Sequence, residues 1–202
     1  MALATELSRR LRLLEDDLVA VPPRIATYHD MPFAIFRYDP EEEFAARAEL
    51  RLLITRLETQ HGRQTVTISL ADLLWQSLPD AGYTLDEWFT IEESQGLPSM
   101  VETINALLAP DERDERGSPV PGPLVSRIVA RLQSCDPRHT IAFLTRAEAL
   151  YPAYHTSALL ERMLGCVRVP IVLLYPGAQG GGYELSFMGV HEASHHYRGK
   201  FY

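Results

Sequence analysis

The chain has 202 residues, of which 46% are hydrophobic and 23% are charged, and its formal net charge is −8. This balance is typical of a globular protein that is large enough to bury a substantial core. Two classes of protein are disfavoured. A membrane-spanning protein is one, because no apolar run approaches the roughly 20 residues that cross a bilayer. A protein that binds DNA directly and nonspecifically is the other, because the surface is acidic.

Leucines at helical spacing predict that the chain opens with an amphipathic helix. They are Leu7, Leu11, Leu14 and Leu18. The same segment carries Glu15, Asp16 and Asp17, which are not typical of a signal peptide, so we expect a cytoplasmic protein. In that reducing compartment, Cys135 and Cys166 are expected to be free, buried thiols rather than a disulfide.

The segment 33–38 is typical of a strand and leads into a second helix. Asp39 supplies an N-cap, and Pro40 occupies the first helical position. Three glutamates at 41–43 suit the positive end of the helix dipole. The predicted buried face of this helix is formed by Phe44, Ala48, Leu52, Leu53 and Leu57.

Three capping signatures predict helix starts in the middle of the chain. They are Ser69 with Asp72, Thr84 with Glu87, and Ser99 with Glu102, the first of them directly after a predicted strand at 65–69. The charged, proline- and glycine-rich segment 110–123 cannot bury much apolar area, so we expect an exposed loop there. A further helix is indicated by Leu124, Val125, Ile128, Val129 and Leu132.

The last third of the chain contains two continuously apolar strands, at 140–145 and 169–177, with a helix at 157–164 between them. An alternating segment at 183–188 predicts an antiparallel edge strand near the C-terminus. Strands separated by helices indicate an α/β fold. We therefore predict a single-domain layered fold over 1–202, with a mostly parallel central sheet flanked by helices.

The sharpest local match to a catalytic motif is the sequence from His191 to His195. It satisfies H-E-x-x-H, in which two histidines one helical turn apart bind zinc and the glutamate, here Glu192, acts as general base. The motif follows a predicted strand and Gly189 instead of lying within a well-anchored helix. We therefore favour a solvated polar connection, with a zinc hydrolase as a minor alternative, and the sequence predicts no bound cofactor.

A glycine-rich segment at 176–182 follows the second apolar strand. Such turns can hold phosphates through backbone N–H groups, but this one lacks a lysine and the spacing of the known phosphate-binding loops. We favour a hairpin turn. The alternative is a degenerate phosphate loop in a nucleotide- or small-ligand-binding domain. Serine chemistry has no support because no G-x-S-x-G motif is present.

Polar and aromatic side chains follow the strand 140–145, at the end where open parallel sheets bind ligands. They are Arg146, Glu148, Tyr151, Tyr154 and His155. Tyr175 occupies the matching position of the neighbouring strand, and Arg198 is expected at the same edge. Two interpretations stay open. These residues form a recognition surface for a protein or a small ligand, or they form a helix cap, a surface ion pair and a half-buried aromatic cluster.

Several sequence blocks occur in an order that resembles the BrxB family of bacterial BREX phage-defence systems. The blocks lie at 33–43, 141–152 and 170–177, and they are joined by His155 with Leu159-Leu160 and by Tyr197-Arg198. The glycines at 180–182 and the histidines at 191–196 depart from the family pattern. The resemblance implies a non-catalytic accessory protein whose partners are a PglZ-like phosphatase-fold protein and other BREX components. It provides no catalytic residues.

Overall fold

A computed structural model describes residues 2–25, 32–110, 112–113, 115, 117, 119–179, 185–187 and 199–202. In these ranges, five parallel strands form one central sheet in the order β2-β3-β4-β1-β6. These strands are β1 (Phe33–Tyr38), β2 (Gln64–Ser69), β3 (Thr140–Thr145), β4 (Ile171–Gln179) and β6 (Lys200–Phe201). A sixth strand, β5 (Leu185–Phe187), pairs antiparallel with the far end of β4. The predicted mixed α/β architecture is therefore confirmed.

Within the described residues, six α-helices flank the sheet. They are α1 (Ala2–Val19), α2 (Glu43–Thr59), α3 (Leu70–Ser77), α4 (Leu85–Leu108), α5 (Pro123–Leu132) and α6 (Thr156–Met163). Single 3₁₀ turns at Pro40–Glu42, Leu78–Ala81 and Ala147–Leu150 connect several of these elements. Among the described residues, none of the helices is both long enough and apolar enough for a transmembrane span.

The sheet separates two hydrophobic cores because successive side chains of a strand point to opposite faces. In β1, Ala34 and Phe36 join the core under α1 and α2, whereas Phe33 and Ile35 join the core under the other four helices. The connection from β1 through α2 to β2 thus covers one face. The connections that follow β2 and β3 cover the other face. This division places α2 and α4 on opposite sides of the sheet.

Helix starts follow the predicted capping chemistry at two of three positions. The Ser69 hydroxyl accepts a hydrogen bond from the Asp72 amide at 3.3 Å, and Thr84 and Glu87 form a complete capping box. Ser99 differs, because it lies inside α4 and its hydroxyl donates to the Gln95 side chain. The break in α4 lies instead at Gly96, whose φ of 84° and ψ of 165° are not helical.

The buried face of α2 differs from the predicted one. Leu53 and Leu57 are buried as expected, but Phe44 and Leu52 are exposed. The residues that complete the buried face are Ala46 and Leu50. The helix carries two apolar stripes, and only the stripe that faces α1 and the sheet can be covered.

The two thiols also differ from expectation. Cys135 and Cys166 are both free, as predicted, but Cys135 is only partly buried and Cys166 is exposed. Each thiol donates to the carbonyl oxygen four residues earlier, at 3.6 Å. Both residues follow the ends of helices at the surface: Cys135 packs against the border of the core under α3 to α6, and Cys166 stays exposed.

The segment 110–123 is held at both ends, although most of its described residues are exposed. The Nη1 atom of Arg162 on α6 donates to the carbonyl oxygens of Pro110, at 3.1 Å, and Val120, at 2.9 Å. Arg113 and Pro119 form an isolated antiparallel bridge. The side chain of Arg162 therefore ties the segment to the helical layer.

Candidate functional site

The connection between β3 and α6 crosses the carboxyl edge of the sheet. It begins at Arg146, whose φ of 60° and ψ of 45° lie in the left-handed region. Among the described residues other than glycine, Arg146 alone has a positive φ. A long side chain in this conformation costs roughly 1–2 kcal/mol, and such strain concentrates at functional sites. The backbone geometry therefore supports the choice of Arg146 as a candidate.

Arg146 belongs to a charged cluster that joins two distant parts of the chain. Its Nε atom lies 3.7 Å from the Glu148 carboxylate, and the Nη2 atom of Arg47 on α2 lies 3.7 Å from the same carboxylate oxygen. Arg47 also forms an ion pair with Glu43, one turn earlier on α2. The side chain of Arg146 remains half exposed. Its guanidinium group is therefore accessible to a carboxylate or phosphate of a binding partner.

Tyr38, the last residue of β1, lies buried beneath this cluster. Burial raises the pKa of its phenol above the ordinary value, and the hydrogen bond to the Glu43 carboxylate raises the pKa further. The phenol is therefore neutral and donates a proton to that hydrogen bond. It holds Glu43 in place and does not act as an acid or base near neutral pH.

The other oxygen of Glu148 has no hydrogen-bond partner among the described residues, and it is buried. A buried carboxylate oxygen without a donor is unfavourable, by about 1–3 kcal/mol. The charge of the carboxylate is compensated by Arg47 and Arg146 through its first oxygen. Among the described residues, the charged cluster therefore contains one acceptor, the second carboxylate oxygen of Glu148, that receives no hydrogen bond.

Tyr151 and His155 extend the candidate surface toward α4. Both side chains are exposed, and His155 precedes α6 without forming a side-chain cap. Between them, the carbonyl of Ala153 accepts a hydrogen bond of 2.6 Å from Asn105 on α4. A cavity of about 330 Å³ opens beside this contact, between Pro152 and α4.

Tyr154 points into the core, unlike its neighbours Tyr151 and His155. Burial raises the pKa of its phenol to about 12. Its hydroxyl has no hydrogen-bond partner within the described part of the chain. Tyr154 therefore serves the packing under the connection and contributes no exposed polar group.

The structure corrects the expected position of Tyr175. This side chain is only 2% exposed and belongs to the core under α3 to α6, together with Ile171 and Leu173 of the same strand. Its burial follows from the alternation along β4, which points every second side chain to that face. Tyr175 therefore supports the connection from below and is not available at its surface.

Four predicted site residues lie outside the described residues. They are His191, Glu192, His195 and Arg198. The glycine-rich segment is divided: Pro176 to Gln179 continue β4, and the glycines at 180–182 also lie outside the described residues. In the part of the chain that the structure describes, no group of three or more histidine, cysteine or acidic side chains is arranged to hold a metal ion.

Sequence reasoning did not find Tyr38, Glu43 or Arg47. A local signal existed, because Glu43 and Arg47 have the i,i+4 spacing of a helical ion pair and follow a strand directly. We interpreted Glu43 only as a partner of the helix dipole. Nothing in the sequence indicated that Arg47 would meet Glu148, about a hundred residues later.

Comparison with known proteins identifies the family of the chain. A family model described as BREX protein BrxB matches residues 66–201, two thirds of the chain. No curated protein and no solved structure matches the chain. The matched range contains the connection 146–155 and all of α4. It leaves out the block at 33–43 and includes the segment 79–139, which contains none of the blocks that carry the resemblance.

Proposed function

The chain belongs to the BrxB family, and from this premise we propose that it is a non-catalytic interaction protein of a BREX phage-defence complex. Family membership suggests an accessory role in BREX defence. The finer proposal is that the chain acts in the bacterial cytoplasm and binds a PglZ-like phosphatase-fold protein. The observation that carries the proposal is the family match over 66–201.

The chemistry of the carboxyl edge supports binding over catalysis. The acidic groups near Arg146 already interact with other side chains. Glu43 accepts a hydrogen bond from Tyr38 and pairs with Arg47. Glu148 lies near Arg47 and Arg146. A general acid or base needs a pKa near the working pH. The pKa of Tyr38 is raised by burial and by Glu43, away from that range.

We propose that the partner contacts the connection 146–155, which we call the edge segment. It exposes Arg146 and Tyr151, and arginine and tyrosine are enriched among the residues that dominate interface energies. The cavity between Pro152 and α4 gives a partner side chain a place to insert. His155 extends the same segment. Contact with DNA is proposed to occur through partners, because the chain is acidic.

Co-expression with the PglZ-like protein of the same gene cluster tests this proposal. The tagged chain is purified, and the mass of the complex is measured by size-exclusion chromatography with light scattering. We expect a complex of fixed stoichiometry. If the chain elutes alone when every neighbouring component is co-expressed, the proposed role is wrong.

The edge segment is tested separately with the double variant Arg146→Gly, Tyr151→Ala. Glycine is chosen at position 146 because it adopts the left-handed backbone without strain. We expect affinity for the partner to fall by at least about tenfold. The matched control is Arg131→Ala on α5, which removes another exposed arginine whose contact is a side-chain hydrogen bond to Gln76. Equal affinities of the double variant and the control would place the partner elsewhere.

A further inference from the structure

The first half of α4, residues 85–95, is attached to the rest of the molecule by few side chains. We call it the α4 arm. Trp88 alone is buried, Ile91 is partly buried, and the other side chains of the arm are exposed. The non-helical Gly96 separates the arm from the second half of α4, which packs into the core through Ile104 and Leu108. The arm therefore presents most of its circumference to solvent.

Two large apolar side chains lie on the solvent face of the α4 arm. Leu85 is 54% exposed and Phe89 is 57% exposed. Residues four apart lie on the same face of a helix, so the two form one apolar stripe. A partner that covers both side chains removes their apolar surface from water, which favours binding. An exposed apolar stripe with a polar border is typical of a docking site.

Acidic side chains border this stripe. The whole of α4 contains five acidic residues and no lysine, arginine or histidine. Glu92 and Glu93 follow Phe89 by three and four positions, so they lie beside it on the next turn. Within the described part of the chain, no ion pair engages Asp86, Glu92 or Glu93.

Arg127 of the neighbouring helix α5 pairs with a different acid. Arg127 on α5 binds both carboxylate oxygens of Asp80, at 2.9 and 2.8 Å. Glu87 is engaged in the capping box with Thr84. As far as the described residues extend, the negative charge beside Leu85 and Phe89 is therefore available to an external cation.

We propose that the α4 arm binds a basic amphipathic helix of a partner protein. Leucine or aromatic residues of that helix would cover Leu85 and Phe89, and its lysines or arginines would pair with Asp86, Glu92 and Glu93. A second copy of this chain does not fit, because a symmetric contact would place the same acids opposite one another. Nucleic acid is excluded by the same charge. This surface is separate from the edge segment, so the inference goes beyond the function proposed above.

A designed peptide tests the inference without any partner from the gene cluster. The probe is a fluorescently labelled helix of about five turns, made of lysines and of leucines that repeat at i, i+3, i+4 and i+7. Two reference peptides accompany it: a scrambled sequence of the same composition, and a counterpart with glutamate in place of lysine. Binding to the full chain is measured by fluorescence anisotropy at low and moderate salt.

Four variants assign the binding to the α4 arm. The double variant Leu85→Ala, Phe89→Ala removes the apolar stripe, and Glu92→Lys, Glu93→Lys reverses the charge beside it. The apolar control is Leu52→Ala, Phe44→Ala, which removes side chains that are 54% and 83% exposed on the opposite face of the sheet. The charge control is Asp16→Lys, an exposed acid on α1. The fold of each variant is checked by circular dichroism and thermal unfolding.

The expected result is saturable binding of the amphipathic basic peptide that weakens as salt rises. Both arm variants should lower its affinity by at least about tenfold, and both controls should leave it unchanged. The inference is overturned if the scrambled peptide binds equally well, if the controls weaken binding as much as the arm variants, or if no saturable binding occurs. Because no BREX component is used, failure here is distinct from failure of the co-expression test.

Discussion

The phenol of Tyr202 donates a hydrogen bond of 2.6 Å to the carboxylate of Asp17, which joins the residue after β6 to helix α1. Lys200 forms an ion pair with the same carboxylate oxygen, and Arg24 lies 3.0 Å from the other one. The Asp17 carboxylate is mostly buried. The short edge strand β6 is thus held by side-chain contacts with α1 as well as by its ladder with β1.

We predict that this contact stabilises the folded state. Tyr202→Phe removes one hydrogen bond to a charged acceptor and should lower the free energy of unfolding by about 1–2 kcal/mol. Asp17→Asn removes the charge that three groups share and should cost more than Tyr202→Phe. Urea denaturation near neutral pH measures both. If Asp17→Asn proves as stable as the unmodified chain, the contact does not contribute to stability.

The same carboxylate should make stability depend on acidic pH. Burial alone would raise the pKa of Asp17, but the hydrogen bonds from Lys200 and Tyr202 outweigh burial and lower the pKa in the folded state. An unfolded aspartate has a pKa of about 3.9. The contribution is therefore complete above about pH 4 and is lost as the pH falls through the folded-state value. We expect the stability gap between the unmodified chain and Asp17→Asn to narrow below about pH 4, as measured by denaturation across that range.

We predict that position 122 requires glycine because the backbone of another segment lies close to it, and not because of its own torsion angles. Its φ of −67° suits any residue, but an added Cβ would lie 2.2 Å from the carbonyl oxygen of Leu108. We expect Gly122→Ala to lower the free energy of unfolding by about 2–3 kcal/mol, since the obstacle is backbone. Gly62→Ala serves for comparison: its φ of 61° is strained for alanine, yet nothing lies within 4 Å of the added atom, and it should cost about 1 kcal/mol. If Gly122→Ala raised the free energy of unfolding, the steric argument would be wrong. Such a gain is expected where alanine fits the folded chain and the substitution only lowers the entropy of the unfolded chain.

The elements that the sequence predicted well are those with strong local patterns. β1 and β3 have the predicted bounds, because each is an apolar run of strand-forming residues followed by a clear change of composition. The leucine spacing of α1 and the capping box at Thr84 are equally local. The edge strand β6 was not foreseen, since two residues of strand give no periodicity.

The candidate site was predicted only in part because its other half depends on tertiary structure. Arg146 and Tyr151 were found because they follow a recognisable strand. Arg47 was missed, since it reaches Glu148 only after α2 crosses the sheet. Phe44 shows the same limit: its spacing fitted a buried face, and only the packing of α2 decides which of two apolar stripes is covered.

Arg146→Gly is predicted to separate stability from partner binding. The left-handed backbone at this position costs an arginine roughly 1–2 kcal/mol and costs glycine little. The lost contact with Glu148 is a half-exposed pair at 3.7 Å and contributes little. We expect thermal unfolding of Arg146→Gly at a temperature equal to or above that of the unmodified chain, whereas Arg146→Ala keeps the strain and gains nothing. A marked loss of stability in the glycine variant would show that the side chain is structural.

Arg162 is predicted to hold the segment 110–123 against the helical layer. Arg162→Ala removes both hydrogen bonds to the carbonyl oxygens of Pro110 and Val120. Because these two acceptors are partly buried and lose a charged donor, the free energy of unfolding should fall by about 1–3 kcal/mol. Release of the segment should also speed cleavage by trypsin after the exposed Arg113. The digestion is carried out under native conditions, and mass spectrometry measures the cleavage rate. Arg131→Ala is the control, because an exposed arginine contributes little to stability. Equal cleavage rates after Arg113 in the two variants would mean that other contacts hold the segment in place.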